Sequence, residues 1–561
     1  MNILGVNGWM NRGHDAAACL IIDGKVVAMA EEERFIRKKY AFDVLPVNAV
    51  AYCLQSSKIT SEDVDVIAWG WNLPYLHLLH NRKFGYNTKE LNELIFPRKY
   101  YSRKKKVIPV EFVDHHRAHA ASVYCMRNTD EDVAVIVSDG AGEKISTSIS
   151  IGSHGKIKEV ENHSMVSSLG FFYEAACQYI GFSRTQAGKL MGLASHGSLI
   201  DAGKFFCLKN NEIETPFQNI RLLAKGVLDW EDEIILEWLK FFESLWGKKS
   251  KVKYNYVSFM GKVQPSFVPG QKEKNIAAII QKEFERIYGW LVKRAISLTG
   301  AQNIAVAGGS GLNCSANGAI VENFPNSNFI FQPMANDAGV ALGAASLMLP
   351  EIPKNLFDSP YLGPYFTEKE LRQILNQAKI HFTEPTDILK DTAKEIAEGK
   401  VVGWFNGKME VGPRALGSRS ILADSRNKKM HTVVNEIKLR EQWRPLAPSV
   451  MLDFADQYFS GKTFSPYMLI RNYIYPEYRR NVRAIIHIDG SVRPQFVKED
   501  FNPIYYQLIK HFYGLTGIPM IMNTSFNNNR EPIVCTPINA IRTFFETGMD
   551  LLVMGPYKVH K

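Results

Sequence analysis

The chain has 561 residues, 46% of them hydrophobic and 22% charged; this length predicts roughly two to four domains, and this balance excludes wholesale disorder. Its 67 basic and 57 acidic residues leave a net charge of +10, which permits nucleic acid but equally suits an enzyme that collects phosphates from small substrates. No apolar run reaches the roughly 18 residues of a membrane span, and no basic run is longer than 103–106, so we expect neither a membrane nor a nucleic-acid partner.

Short apolar runs that end in loops of glycine or aspartate set the predicted fold. The predicted strands lie at residues 3–6, 16–22, 26–30, 133–138, 146–151 and 304–307. Asp23 and Gly24, between the second and third runs, are typical of a two-residue β-hairpin turn. Because the strand-and-loop unit recurs along the chain, we predict a duplicated α/β nucleotide-binding fold.

The middle and the last third of the chain differ in character from this pattern. Residues 200–272 are rich in lysine and aromatic side chains, which predicts either a helical insertion covering a cleft or a helical subdomain that packs its aromatics internally. Spaced prolines at 351–366 indicate a linker between a domain at 1–350 and a domain at 367–561. The last domain opens with a predicted helix at 368–378.

The cysteines indicate a reducing compartment. They are odd in number, widely scattered and without a Cys-x-x-Cys pair, which predicts buried reduced thiols rather than a disulfide framework or a cysteine-based zinc site. The start of the sequence also lacks the pattern of a signal peptide, so a cytoplasmic protein is expected. The seven are Cys19, Cys53, Cys125, Cys177, Cys207, Cys314 and Cys535.

A pair of histidines forms the sharpest chemical motif. His115 and His119 are four residues apart, so a helix would project both imidazoles from one face, an arrangement that suits iron or zinc. Such a pair alone is more typical of a core or a helix cap. Asp139 and Asp337 strengthen the metal prediction, because both stand on loops where carboxylates converge over a cleft and because core aspartates are rare.

Glycines and arginines supply two further candidate sites. The sequence GGSGLN at 308–313 follows a predicted strand and permits close backbone approach to phosphate, although Cys314 replaces the third glycine of a dinucleotide fingerprint. Arginine forks on Gly/Pro-rich loops bind phosphate in a bidentate manner, whereas any one of them alone would fit a surface ion pair. The arginines of this array are Arg414, Arg419, Arg444 and Arg493.

Several short motifs occur in a fixed order along nearly the whole chain. They are GHDAAA at 13–18, EEER at 31–34, HHRAHA at 115–120, MGLA at 191–194, GPRALG at 412–417 and NTSFN at 523–527. This set resembles the NodU/CmcH-type O-carbamoyltransferases. The resemblance implies an α/β protein with an N-terminal Kae1-like domain of the actin/Hsp70-like (ASKHA) fold, followed by a YrdC-like α/β domain.

The resemblance also implies the reaction and its co-substrates. Carbamoyl phosphate would lose its phosphate in the YrdC-like domain, and the carbamate would attack ATP, present with Mg²⁺, to give carbamoyl adenylate and pyrophosphate. The Kae1-like domain would then transfer the carbamoyl group to a hydroxyl of a small acceptor, such as a sugar or a natural product in antibiotic biosynthesis. A monomer or a homodimer is expected.

The site residues that the resemblance implies fall into four groups. His14 would be the base that takes the proton of the acceptor. A divalent metal, Fe²⁺ by expectation, would be held by His115, His119, Asp139 and Asp337, with the metal touching the adenylate. The nucleotide would be contacted by Lys39, Gly170, Gly309 and Asn313. Carbamoyl phosphate and ATP would be bound by Arg414, Arg444 and Asn523, with Arg493 and Ser525 nearby.

Two alternatives remain open on the sequence. Kae1 and YrdC relatives also build a tRNA modification, so a tRNA threonylcarbamoyl-transferring enzyme is the first. The second, from another class, is an actin/Hsp70-like ATP-binding switch protein, which would leave the arginine array without a role.

Overall fold

The computed structural model describes residues 1–10, 13–101, 106–199, 203–220, 222, 229–249, 256–259, 262–265, 268–461 and 464–561. Of the predicted basic run at 103–106 only Lys106 is among them, and parts of the predicted insertion lie outside them. The chain divides into two compact units. Unit 1 comprises Met1–Glu32 and Tyr40–Asp358, and unit 2 comprises Glu33–Lys39 and Ser359–Lys561.

The first sheet of unit 1 has five strands in the order β3-β2-β1-β4-β5. They are β1 (Asn2–Asn7), β2 (Ala17–Ile22), β3 (Lys25–Glu31), β4 (Val66–Trp69) and β5 (Val110–Phe112). The three N-terminal strands are antiparallel, whereas β1, β4 and β5 are parallel. Asp23 and Gly24 take left-handed φ values of 47° and 75°, as the predicted hairpin turn requires.

The second sheet of unit 1 repeats this arrangement. Its strands are β6 (Val133–Ser138), β7 (Ile145–Ser153), β8 (Lys156–Ser164), β13 (Asn303–Ala307) and β14 (Asn328–Phe331). Between β8 and β13 the described chain forms two separate hairpins, β9 (Cys207–Lys209) with β10 (Glu212–Glu214) and β11 (Tyr256–Phe259) with β12 (Lys262–Pro265). The order is β8-β7-β6-β13-β14, with β6, β7 and β8 antiparallel and β6, β13 and β14 parallel. Since order and directions match those of the first sheet, the predicted duplication is confirmed.

Ten helices accompany these sheets in the described part of unit 1. They are α2 (Val47–Ser56), α3 (Leu73–Leu79), α4 (Thr88–Ile95), α5 (His115–Tyr124), α6 (Leu169–Tyr179), α7 (Ala187–Ala194), α8 (Asp229–Trp246), α9 (Gln271–Thr299), α10 (Cys314–Asn323) and α11 (Val340–Ser346). Helix α1 (Glu33–Ile36) belongs to unit 2. In the described part of the predicted insertion, Trp238 and Phe242 of α8 pack against Phe205, Phe206 and Phe172. These aromatics pack both against one another and against Phe172 of α6, which lies outside the insertion, so the choice between the two alternatives stays open.

Gly343 allows α11 to approach α5 at backbone distance. A Cβ atom at this position would lie 1.7 Å from the carbonyl oxygen of Ala118, and a backbone atom has no room to withdraw. We expect Gly343→Ala to destabilise the protein by about 1–3 kcal/mol, seen as a lower Tm. Gly289 of α9 has open space around it, so Gly289→Ala should leave Tm unchanged or raise it. An equal Tm for the two variants would contradict this packing.

Unit 2 is built on an eight-stranded mixed sheet. Its order is β15-β25-β24-β16-β17-β23-β18-β22, and a smaller sheet has the order β19-β20-β21. The strands are β15 (Phe382–Thr383), β16 (Val402–Phe405), β17 (Arg419–Ala423), β18 (Ala447–Met451), β19 (Phe459–Ser460), β20 (Asn472–Ile474), β21 (Ser491–Val492), β22 (Gln495–Val497), β23 (Met520–Ser525), β24 (Leu551–Met554) and β25 (Tyr557–Val559). The helices are α12 (Glu368–Gln377), which matches the predicted helix, α13 (Ile388–Ala397), α14 (Lys429–Ile437), α15 (Ala455–Tyr458), α16 (Pro503–Thr516) and α17 (Pro537–Glu546).

The predicted α/β class is therefore confirmed: the protein is mixed α/β, with a doubled sheet in unit 1 and a second α/β unit. All seven cysteines are free, and all except Cys207 are buried, close to the prediction. Within the described stretches, none of the helices combines the length and the apolar content needed to cross a bilayer.

Candidate functional site

Helix α5 presents two buried histidines on one face, as their spacing predicts. The Nε2 atoms of His115 and His119 lie 3.1 Å apart. The Nδ1 atom of His115 is 3.2 Å from the carbonyl oxygen of Gly70, which accepts its proton. The indole of Trp71 stacks on the same imidazole at 3.8 Å between ring centres. The His115 ring is thus held so that Nε2 faces His119.

Two aspartates complete a four-residue cluster in unit 1. Asp139 follows β6 directly, and Asp337 opens the turn that leads into α11. The Nε2 atom of His119 lies 3.5 Å from Asp139 Oδ2 and 3.6 Å from Asp337 Oδ1. One ligand atom from each of the four residues lies within 4.8 Å of every other. The structure therefore brings together all four residues for which metal ligation is predicted.

The electrostatics of the cluster favour a positive charge at its centre. Burial lowers the pKa of His115, but Asp337 and Asp139 more than offset this and raise the pKa to about 10. His116 shows the opposite case, because burial and the neighbouring His115 lower its pKa to about 3. Two imidazole nitrogens and two carboxylates are a donor set that suits Fe²⁺ or Zn²⁺. The residues present therefore fit the predicted divalent metal.

His14 lies beside this cluster, on the loop that follows β1. Its Nδ1 atom is 3.1 Å from Asp15 Oδ2 and 3.9 Å from Asp337 Oδ2, and 45% of its side chain remains exposed. Burial opposes a charge on His14, but Asp337 and Asp15 together raise its pKa above the usual range. The amide of buried Asn7 donates to the carbonyl oxygens of His14 and Asp15, which anchors the loop. The imidazole is accessible and is close to the cluster.

The glycines predicted to line the nucleotide surround Asp139. The backbone N–H of Gly309 donates to Asp139 Oδ1 at 2.9 Å. A Cβ atom at Gly170 would come within 2.8 Å of Gly140, so this close approach requires glycine. Asn313 lies four residues after Gly309, but its side chain caps α10 and bonds to Gln281. Its predicted nucleotide contact stays a prediction.

A group of cations gathers in unit 2. The Nζ atom of Lys39 donates to the carbonyl oxygen of Asn529 at 2.8 Å, and Arg444 lies 3.4 Å from the side-chain oxygen of the same residue. Lys438, directly after α14, is buried and donates to Ser525 and Asn527. Burial first, and then repulsion from Arg440, Lys39 and Arg444, hold the pKa of Lys438 well below its usual value. We call Lys39, Lys438, Arg440 and Arg444 the cation group.

The remaining predicted residues of unit 2 lie along adjoining loops and strands. Asn523 of β23 is buried, and its amide donates to the carbonyl oxygen of Ala415, next to Arg414. The hydroxyl of Ser525 contacts Lys438 at 3.2 Å. Arg414 and Arg493 are half-buried. These contacts connect Asn523 to the Arg414 loop and Ser525 to the cation group.

The two halves of the sequence match one known family. Residues 2–346 match the carbamoyltransferase N-terminus, and residues 393–561 match the carbamoyltransferase C-terminus. The chain belongs to the carbamoyltransferase family. This membership confirms the predicted resemblance and makes the protein a transferase enzyme.

Several proteins are similar to this carbamoyltransferase over most of its length. The uncharacterised protein sll1178 of Synechocystis sp. is 33% identical over 100% of this chain and 97% of its own. Nodulation protein NolNO of Sinorhizobium fredii is 32% identical over 98% of this chain and 79% of its own. Among solved structures, full-length HypF in its phosphate- and nucleotide-bound form is 15% identical, covers 61% of this chain and 45% of its own, and has a TM-score of 0.35.

One member of the predicted arginine array has a structural role in this carbamoyltransferase. Arg419 is fully buried, and its guanidinium stacks on Phe405 at 3.7 Å. It donates to four backbone carbonyl oxygens, those of Pro364, Asn406, Gly407 and Ser418. The prediction that Arg419 binds phosphate is therefore wrong, because the side chain is fully buried and both of its terminal nitrogens already donate to these carbonyls. Conversely, the sequence reasoning missed Lys438, since a lone lysine after a helix has no distinctive pattern.

Proposed function

We propose that this carbamoyltransferase is an ATP-dependent O-carbamoyltransferase that works through carbamoyl adenylate. The observation that carries the proposal is that one carbamoyltransferase chain holds two sites of opposite electrostatic character. The cluster in unit 1 contains two carboxylates, that of Asp337 buried and that of Asp139 half-buried, and favours a cation. In unit 2, the charged groups that lower the pKa of Lys438 are the cations Arg440, Lys39 and Arg444, and this concentration of cations favours anionic substrates.

The adenylate would form in unit 2. Carbamoyl phosphate is cleaved there by water to carbamate and phosphate, and a carbamate oxygen then attacks the α-phosphorus of ATP, brought with Mg²⁺, and expels pyrophosphate. Both substrates and the leaving group are polyanions. Arg414, Arg444, Lys39 and Lys438 supply donors for their oxygens, with Asn523, Ser525 and Arg493 close by.

Transfer would occur in unit 1. His14 takes the proton of an acceptor hydroxyl, whose oxygen attacks the carbamoyl carbon and releases AMP. His115, His119, Asp139 and Asp337 would hold a divalent metal, Fe²⁺ in this proposal, which supplies Lewis acidity when bound. A cation there would offset the carboxylate charges that raise the pKa of His14, so a neutral imidazole base becomes available near pH 7.

The acceptor in this proposal is a small molecule that carries a hydroxyl, such as a sugar or a natural product. Membership of the carbamoyltransferase family supports a carbamoyl donor and an acceptor substrate without naming either. The switch-protein alternative conflicts with membership of an enzyme family. The tRNA alternative predicts a mobility shift with tRNA at physiological salt, which this proposal does not.

Pyrophosphate formation tests the proposed function directly. With ATP, Mg²⁺ and carbamoyl phosphate, the purified protein should release pyrophosphate, and addition of a suitable acceptor should produce one AMP for each carbamoylated product. The product should gain about 43 Da, the mass of a carbamoyl group that replaces hydrogen. The control reaction omits carbamoyl phosphate and should form neither pyrophosphate nor the carbamoylated product. If the protein releases no pyrophosphate, either alone or with any member of a broad acceptor panel, the proposal fails.

A further inference from the structure

The N-terminus of α5 is held by a residue from another part of unit 1. The first N–H groups of a helix have no carbonyl partner within that helix. Asp114, which stands where a capping side chain is usual, makes no capping bond to α5. Instead, the carboxylate of Glu143 accepts the N–H of His115, at 3.1 Å for Oε1 and 3.3 Å for Oε2. Glu143 therefore caps α5 through the backbone N–H of His115, which is also a residue of the metal cluster.

Glu143 also holds the segment that orients the His115 ring. Its Oε1 accepts the N–H of Asn72 at 2.9 Å. The two residues before Asn72 both touch the imidazole, since Gly70 accepts the proton of Nδ1 and Trp71 stacks on the ring. One carboxylate thus joins the backbone of His115 to the segment that orients its side chain.

The loop that carries Glu143 also carries Asp139, a second residue of the cluster. This loop joins β6 to β7 and is closed by two backbone bonds, from Asp139 to Ser146 and from Gly142 to Ile145. Movement of Glu143 relative to Asp139 is limited by this closure. The contact from Glu143 to His115 therefore sets the separation between a ligand on α5 and a ligand on the loop.

Burial of this carboxylate has a free-energy cost that its hydrogen bonds offset. Glu143 is only 6% exposed, and among the described residues it makes no ion pair with lysine or arginine. All its described hydrogen bonds come from backbone N–H groups, and the helix N-terminus adds a favourable dipole. An apolar side chain would avoid the desolvation cost but would leave these N–H groups without an acceptor.

We infer that Glu143 is a positioning residue for the metal cluster, which sets His115 against Asp139 through the N-terminus of α5. This inference rests on the metal site of the proposed function. It predicts that Glu143 affects metal affinity and ligand geometry although it donates no atom to the metal. Outer residues of this kind typically change metal affinity by about 10–100-fold.

Binding of Co²⁺ alone tests the inference without any turnover. The full-length protein is stripped with a chelator and titrated with Co²⁺, with the Kd measured by competition and the geometry read from the visible absorption bands. We expect Glu143→Ala to raise the Kd by about 10–100-fold and to shift the bands. Glu143→Gln should raise it by less, because the amide oxygen still accepts both N–H groups. Ser148→Ala is the matched control, since Ser148 bonds to His116, which is not in the cluster, and its Kd should match wild type.

The outcomes separate the inference from the proposed function. The inference about Glu143 would be overturned if both Glu143 variants kept the wild-type Kd and the wild-type bands. It would also be overturned if the variants lowered the Tm but left the Kd of the folded protein unchanged. If Glu143→Ala does not fold, the raised Kd of Glu143→Gln decides. Failure of the wild-type protein to bind Co²⁺ would overturn the metal site itself, and this inference with it, whereas pyrophosphate formation in unit 2 would be unaffected.

Discussion

Replacement of His14 by asparagine is expected to abolish carbamoyl transfer while pyrophosphate formation continues. His14 is the accessible imidazole next to the cluster in unit 1, and none of its described contacts involves the cation group of unit 2. Loss of a positioned general base typically slows the step it serves by about 10²–10⁴-fold. The measurement follows pyrophosphate and carbamoylated product separately in the same reaction. Adenylate that is not transferred is hydrolysed and is counted as AMP formed in excess of the product.

The matched control for this variant is His154→Asn. His154 is exposed and has a φ of 47°, a left-handed conformation that asparagine tolerates well. Its two rates should equal those of wild type. If His14→Asn lowers pyrophosphate formation as much as transfer, then His14 does not act only on the acceptor, and the assigned role is wrong.

Replacement of Arg414 by alanine is expected to remove pyrophosphate formation, and transfer with it. The residue is half-buried on a loop whose backbone N–H groups at Leu416 and Arg419 are bound by the buried carboxylate of Glu410. A guanidinium on such a braced loop is pre-organised for phosphate oxygens, so its loss should cost about 10²–10³-fold in rate. The measurement is the exchange of labelled pyrophosphate into ATP in the presence of carbamoyl phosphate.

Arg483→Ala controls for the change in net charge, because Arg483 is also in unit 2 but is exposed. It should retain the wild-type exchange rate. Externally supplied carbamoyl adenylate should restore transfer in Arg414→Ala and not in His14→Asn. Retention of exchange by Arg414→Ala would show that the Arg414 loop does not serve the adenylate-forming step.

The two sites differ in the sign of the charge that each would stabilise in a bound group. In unit 1, Asp337 and Asp139 raise the pKa of His115 to about 10, so a proton or a metal ion is stabilised between the imidazoles. In unit 2, burial and neighbouring cations hold the pKa of Lys438 down, so an anion would be stabilised beside it. The physical basis of the proposed division of labour is this complementarity of each site to a different partner.

Local patterns in the sequence were sufficient for several features. Asp23 and Gly24 tolerate left-handed φ values, so they determine the hairpin between β2 and β3 whatever surrounds them. The four-residue spacing of His115 and His119 determines that a helix presents both on one face. Each of these predictions depends on neighbours within a few residues, which is why it needed no knowledge of the fold.

Other features depend on residues that only the tertiary structure brings together. Glu143 caps a helix that begins 28 residues earlier, Lys438 meets side chains 87 and 89 positions away, and Arg419 is enclosed by carbonyls up to 55 positions away. Which arginine binds a ligand and which braces a loop is decided by burial and by the partners that folding supplies. The sequence determined which chemical groups are present and their local geometry, whereas long-range packing decided their charge state, their accessibility and their role.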